Sequence, residues 1–407
     1  MASHVIDEAN RCLQCKNPRC RQGCPINTNI PEMIRLLKED KMMEAAYMLF
    51  NNNPLSVVCS LVCDHQKQCE GHCVRGIKGS PVHISAIENY ISDSCFERIK
   101  IEKKPYNGNK VAVIGSGPAG MTIAIILASR GYKITVFEAR DQIGGIMRYG
   151  IPNFRLPHSI LDRYADKLKE LGIYLRPNFA IGQSTSIQDL FDDGYKAVYV
   201  GTGAWKPRRL RIPGETFGNV HFAINYLNNP DAVDVGDTVA IIGAGNSAMD
   251  VARTAIRQGA RNVTLYVRRD RISASQDEAD YAKLDGAKFA FQKAPIRIED
   301  DGIVMADTEL TEDGHVNVLE DTAVLIPCDT VIIAASQLPQ DKLLHRDKDL
   351  QVNTNGTLKT DDSGETTMKG VFASGDVVTG AKTVVDAVHY SKLIADDMDN
   401  YIQSLSK

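Results

Sequence analysis

Several things are missing from this sequence, and each absence removes a class of protein. No apolar run in the 407 residues comes near the roughly 20 needed to cross a bilayer as a helix. The N-terminus, Met1-Ala-Ser-His-Val-Ile-Asp, lacks a basic flank followed by an apolar core, so it does not read as a secretory signal. A cytoplasmic protein is expected. An excess of one charge is also lacking: 47 Lys and Arg stand against 51 Asp and Glu, a net of −4. That balance, with 43% hydrophobic and 24% charged residues, predicts two to four ordinary globular domains and no nucleic-acid surface or acidic tail. Cysteine almost vanishes after residue 73, where only Cys95 and Cys328 remain. Such solitary thiols read as small buried hydrophobes. A disulfide reductase needs a close cysteine pair, and these two stand far apart in the chain.

The other eight cysteines crowd into two blocks. The first reads Cys12-x2-Cys15-x4-Cys20-x3-Cys24-Pro25, the second Cys59-x3-Cys63-x5-Cys69-x3-Cys73. Without an export signal, such a cluster points to metal rather than disulfides. Eight thiolates can hold two zinc ions or two iron–sulfur clusters. Structural zinc usually takes two C-x-x-C knuckles set apart, and only one occurs here. The tight run ending in Cys-Pro resembles the bacterial ferredoxin run, which favours iron–sulfur. Between the blocks, Thr28 to Leu37 predicts a helix start with a polar cap and Pro31 in its first turn. This region is expected to be helical and short of core, with metal supplying much of its folding energy.

The chain is organised around Val111-Ala-Val-Ile-Gly-Ser-Gly-Pro-Ala-Gly120. A short buried strand runs into Gly115, Gly117 and Gly120, spaced G-x-G-x-x-G around Ser116, Pro118 and Ala119, and then into an apolar helix. Gly115 allows the tight turn, Gly117 lets a pyrophosphate approach, and Gly120 lets helix and strand pack closely. The next strand, Lys133 to Phe137, ends in Glu138, where a ribose-binding acid is expected. A second such unit begins at Thr238, with Gly243, Gly245 and Ala248 spaced G-x-G-x-x-A around Asn246 and Ser247. Its next strand ends in Arg268-Arg269, and an arginine there accommodates a 2′-phosphate, pointing to NADPH over NADH. The alternative is a pair of solvated arginines beside Asp270. Gly144-Gly145, the strand-and-turn Ala197 to Ala204 containing Gly203, and Gly370 to Asp376 ending in Gly375-Asp376 complete the pattern, before a last helix opens near Thr383. Two nucleotide folds, the second inserted into the first, make a flavin–nicotinamide reductase. The expected division is 1–106 for the helical cluster domain, 107–220 and 345–407 for the FAD domain, and 221–344 for the NAD(P)H domain.

These blocks together resemble the small (beta) subunit family of bacterial glutamate synthase. That family includes the flavin-bearing N-terminal half of dihydropyrimidine dehydrogenase and its bacterial NAD-binding subunit. The most specific parts are the cysteine blocks, Gly144-Gly145 through Arg155-Leu-Pro157, and Gly375-Asp376 followed by Lys382-Thr-Val-Val385. The resemblance implies an α/β protein with two nested Rossmann-like domains behind a small helical domain holding two 4Fe–4S clusters. It implies one cluster on Cys12, Cys15, Cys20 and Cys73, and another on Cys24, Cys63, Cys69 and Glu88. Spacing alone would instead give the eighth ligand to Cys59. FAD is implied at Gly115 to Gly120, with Glu138 on its ribose, Asp376 on its ribityl chain, and Thr383 facing the isoalloxazine. One departure stands out: Ser336, in Ala334-Ala-Ser-Gln-Leu-Pro339, occupies a place where the family usually has glycine.

Nicotinamide gives up two electrons together and a cluster takes one, so a flavin must stand between them. No side-chain acid or base is needed, and none is expected. The expected role is electron input from NADPH or NADH, through FAD and clusters, to a catalytic partner subunit or a carrier such as ferredoxin, in a hetero-oligomer. Alternatives are the NAD-binding subunit of a bacterial dihydropyrimidine dehydrogenase, a subunit of an electron-bifurcating complex, and a redox sensor or scaffold.

Overall fold

The computed structural model describes residues 2–340, 343 and 346–405. It divides into two compact units, one of Met1–Arg148, Asn153–Ala204 and Leu338–Lys407, the other of Tyr149–Pro152 and Trp205–Gln337. The expected domain boundary at 344/345 lies outside the described residues. Among the described residues, no helix is long and apolar enough to cross a membrane.

The first unit opens with the helices Ala2–Asn10, Ile30–Lys38, Met42–Asn52, Ser56–Val62 and Ile84–Cys95. Pro31 sits in the first turn of Ile30–Lys38, where its missing N–H costs no helical bond. The helices bury Met33, Ile34, Leu49, Leu55, Ile87 and Ile91, each at most 1% exposed. Each such side chain contributes about 2 kcal/mol on burial, so the region has an apolar core of its own. The expectation of a region short of core is therefore corrected. The sequence reading followed the cysteines and overlooked the apolar faces between them. The thiol-bearing stretches themselves are mostly turns, and only there is metal left as the local organiser.

The same unit contains a five-stranded parallel sheet in the order Val371–Ala373, Tyr195–Val200, Lys110–Ile114, Lys133–Phe137, Tyr174–Arg176. Its strands read as continuous apolar runs because both faces are covered. The helix Pro118–Ser129 is apolar on almost every side and lies between the central strand and the long last helix, Val384–Ser404. Tyr132 donates to Asp399 at 2.5 Å and Arg130 to the same carboxylate at 3.1 Å, tying that helix to the sheet. The strand leading to Gly375-Asp376 comes from the far end of the chain, so the second nucleotide fold interrupts the first.

The second unit repeats the plan. Its parallel sheet runs Val220–Phe222, Thr330–Ile333, Thr238–Ile242, Asn262–Val267, Lys288–Phe291, again with the strand before the glycine turn in the middle. The helix Asn246–Arg257 buries Ala248, Val251, Ala252 and Ala255 at i, i+3, i+4 and i+7, the stripe that seats a half-buried helix on a sheet. An antiparallel layer, Lys293–Glu299, Gly302–Leu310 and Val316–Pro327, is inserted in the chain between the sheet strands Lys288–Phe291 and Thr330–Ile333.

Candidate cofactor and cluster sites

At the first glycine turn the backbone has no room for side chains. Gly115 has φ +94°, and a Cβ on it would lie 2.5 Å from the Gly201 carbonyl oxygen. A Cβ on Gly120 would lie 2.0 Å from the Gly115 carbonyl oxygen. Gly117 differs: a Cβ there would meet only the Gly145 Cα, at 3.9 Å. Gly145 is itself left-handed, at φ +52°. Two bare backbones thus face each other where the helix opens at Pro118 and Ala119, and its free N–H groups are accessible to an anion. That cradle fits the pyrophosphate of a dinucleotide.

Glu138, 7% exposed, follows the second strand and turns back to the glycine turn. One oxygen accepts the Ser116 N–H at 3.0 Å and the Ser116 hydroxyl. The other accepts the Arg140 N–H at 2.9 Å. Its orientation is thereby locked, and a carboxylate so held keeps lone pairs for ribose hydroxyls. Gly375, at φ +74°, brings the distant strand to the same place, since a Cβ on it would lie 3.1 Å from the Ala119 Cβ. Asp376 follows, its carboxyl pushed up to about 6 by burial although it accepts the Lys382 N–H at 3.1 Å. Thr383 caps the last helix, accepting the Asp386 N–H at 3.3 Å while Asp386 accepts the Thr383 N–H at 3.2 Å. Gly203, at φ +71°, lies in the turn after Tyr195–Val200. One polar set went unread in the sequence: the buried hydroxyls of Tyr199, Ser374 and Ser391. Tyr199 lies 2.6 Å from Ser374 and 3.2 Å from Ser391, pinning sheet, Gly-Asp turn and last helix together. Serines carry no sequence mark of such a role.

In the second unit Gly243 has φ +152°, and a Cβ would lie 2.5 Å from the Ala334 carbonyl oxygen. Gly245 heads the helix Asn246–Arg257 and has only the Ser273 hydroxyl near its missing Cβ, at 3.7 Å. Ser273 and Ala274 donate backbone N–H groups to the Ala244 carbonyl at 2.9 and 2.8 Å. Ser275 donates to the Asn246 side chain at 2.9 Å. The short segment after Arg268-Arg269 therefore folds back onto the glycine turn, with Ser247 half-buried and Ala248 buried beneath it. Arg268 is exposed and Arg269 half-buried, and among the described residues neither guanidinium has a carboxylate partner. That exposure suits a solvated pair and an open 2′-phosphate site alike. Ser336 takes φ +75°, a left-handed conformation that costs an L-residue about 1–3 kcal/mol.

The thiols form two groups, and they are not the two sequence blocks. Cys12 and Cys20 interact electrostatically with Cys15 and Cys73, and burial pushes Cys20 up to about 11. All four line one hollow, walled by Ile30, Ile34, Val74, Val82 and Ile84. Cys63 and Cys69 instead interact with each other and with Glu88, and Cys69 also with Cys24. Cys59 lies beside Cys63 one helical turn away, and it adjoins Tyr164. The hydrogen bond with Cys59, and then burial, raises Cys63 well above the ordinary thiol range, and burial raises Cys69 likewise. Among the described residues, no three His, Cys, Asp or Glu side chains converge as ligands of a single ion. The carboxyl of Glu88 is 9% exposed, accepts no hydrogen bond among the described residues, and is raised to about 7 by burial. A buried acid facing thiols without a donor is a poor structural element and a good ligand for a cationic centre. These residues fit cluster ligation.

The comparisons with known proteins agree with this geometry. A model of the pyridine nucleotide-disulphide oxidoreductases matches residues 76–190 and 109–391. A model of dihydropyrimidine dehydrogenase domain II, 4Fe–4S cluster, matches residues 1–100. The glutamate synthase [NADPH] small chain of Azospirillum brasilense is 34% identical, over 98% of this chain and 89% of its own. The chain belongs to the glutamate synthase small-chain family. Other relatives of this small-chain-like oxidoreductase include PreT, the NAD-dependent dihydropyrimidine dehydrogenase subunit of Escherichia coli. It is 30% identical over 98% of this chain and 94% of that one. The solved structure of Mycobacterium tuberculosis FprA in complex with NADPH shares the fold, with a TM-score of 0.61 at 18% identity over 74% of this chain and 86% of that one.

Proposed function

We propose that the protein takes electrons from NADPH or NADH onto FAD and passes them through two 4Fe–4S clusters to a partner subunit. The observation that carries this reading is the sorting of the thiols into two groups within the unit that holds the FAD-type fold. A bound flavin accepts the two electrons of a hydride together and releases them singly, as iron–sulfur centres require. The chain's own residues bind and orient. Gly117 and Gly145 leave space for the pyrophosphate, Glu138 and Asp376 present oxygens to the ribose and ribityl hydroxyls, and Gly243 with Gly245 does the same work for the nicotinamide dinucleotide. Cys12, Cys15, Cys20 and Cys73 are assigned to one cluster, and Cys24, Cys63, Cys69 and Glu88 to the other. Arg268 and Arg269 support NADPH.

The partner reading rests on the relatives, whose names describe small chains and subunits. A glutamate synthase large subunit is the first candidate, and the near-equal length of PreT keeps a pyrimidine-reducing subunit as the second. Protein purified without oxygen is expected to hold about eight iron, about eight labile sulfide and one FAD per chain, following the ligand count. Its flavin absorbance should bleach on adding NADPH. Two zinc ions with no labile sulfide would overturn the cluster reading.

A further inference from the structure

The segments Arg11–Arg21 and Val74–Ser80, which carry Cys12, Cys15 and Cys20 and adjoin Cys73, contain six Lys and Arg and no Asp or Glu. In a chain of net charge −4 this is a local reversal. Lys16, Arg19, Arg75 and Lys78 are exposed, and among the described residues none has a carboxylate partner. They share the surface with two large apolar side chains held in water, Leu13 at 58% and Ile77 at 67% exposure. Leu13, Arg19 and Arg75 rim the hollow of the four thiols, and Arg19 and Ile77 line the adjoining depression beside Cys73, where Glu70 is the one acidic neighbour; Lys16 follows Cys15 and Lys78 follows Ile77 directly in the chain.

We propose that this basic, apolar-centred face is where a redox protein with an acidic surface docks, placing its own centre against the cluster on Cys12, Cys15, Cys20 and Cys73. The argument is charge complementarity. Unpaired cations around an apolar centre speed the encounter with an acidic partner and exclude a basic one, while Leu13 and Ile77 supply dry contact. The inference rests on the cluster reading above, and the test separates the two.

The probe is a small acidic [2Fe–2S] ferredoxin, chemically reduced and mixed anaerobically with the holoprotein and NADP+. Two ferredoxins each lose one electron, and NADP+ with one proton becomes NADPH. Reduced methyl viologen, a cationic donor, is the control. The second-order rate with ferredoxin should fall steeply as salt rises, and Lys16→Glu with Lys78→Glu should lower it about tenfold at low salt. Ile77→Ser should weaken it without changing the salt slope. The methyl viologen rate and the iron content should not fall in any of these variants. Should the double variant lose iron, Lys78→Glu alone reads the same slope. No electron transfer from ferredoxin, a rate indifferent to salt, or a rate unchanged by charge reversal overturns the proposal. So does a salt-sensitive dimer that masks the face, which would give it to a second copy of this chain. Protein lacking iron and sulfide would instead strike the cluster reading itself.

Discussion

Lys392 in the last helix donates to the Asn52 backbone carbonyl at 2.6 Å and to its side-chain oxygen at 2.7 Å. Asn52 ends the helix Met42–Asn52, and its amide donates to Thr28 at 3.0 Å. The Cys24 thiol donates to the same hydroxyl at 3.4 Å. Three side chains thus connect the helix capped by Thr383 to a proposed ligand of the more buried cluster. Burial lowers the Lys392 ammonium below the ordinary lysine range, while Cys24 opposes that shift.

Lys392→Met should lower the midpoint potential of the Cys24 cluster, because a nearby cation favours the reduced, more negative state. Lys392→Arg should largely restore it. Redox titration followed by electron paramagnetic resonance reads the potential directly. The Met variant should also lose about 1.5–3 kcal/mol of stability, the contribution of a charged hydrogen bond. Destabilisation with an unchanged potential would make the contact purely structural.

The ligand set of the second cluster is decided by iron counts. Cys59→Ala should keep nearly all the iron, at a packing cost of about 1 kcal/mol. Cys63→Ala and Glu88→Ala should each lose roughly half of it, as one cluster of two goes. Equal loss from Cys59→Ala and Cys63→Ala, with none from Glu88→Ala, would return Cys59 to the ligand set.

For the nicotinamide, a charged hydrogen bond to a 2′-phosphate contributes roughly 1.5–3 kcal/mol. Arg268→Ala or Arg269→Ala, whichever removes it, should lower kcat/KM for NADPH by about tenfold to a hundredfold. NADH should barely change. Steady-state rates with an artificial dye acceptor check this without a partner. An equal effect on both nucleotides would remove the phosphate role and favour the dihydropyrimidine reading.

The carboxyl of Asp376 is raised to about 6, first by burial, with Asp386 adding to it and the Lys382 backbone and charge opposing. Its sign is that of an acid favoured neutral in the fold: the fold is favoured below the unfolded value near 3.8 and loses that gain as pH rises through about 6. Ribityl hydroxyls donating to the carboxylate would reverse the preference. The apoprotein's affinity for FAD should therefore rise between about pH 5 and pH 7, read by quenching of flavin fluorescence. Asp376→Asn should bind more weakly and flatten that rise. A wild-type affinity independent of pH would take Asp376 out of the flavin site.

The two nucleotide folds were legible in the chain because their signals are local. A strand, a glycine turn and a helix fit within a few turns of backbone, and Gly115 and Gly120 are required by atoms only a few residues away or on the next strand. The count of thiols was equally plain, and so was an acid at Glu138 after the second strand; its bonds to Ser116 in the glycine turn were not. What residues far apart in the chain do to one another is not written in spacing; the grouping of Cys73 with the first block came only through the family resemblance, and the rest from the tertiary structure. Cys73 joins Cys12, Cys15 and Cys20 around one hollow although its block lies some fifty residues on. The apolar faces of Ile30–Lys38 and Ile84–Cys95 become a core only when packed together. Arg19 and Arg75, from different cysteine-bearing turns, come to the rim of one hollow. Lys392 looks like any surface lysine until a helix more than 300 residues earlier in the chain ends on it. Backbone geometry and periodicity act over a few residues, whereas burial and charge act through space, and only the folded chain says which groups share it.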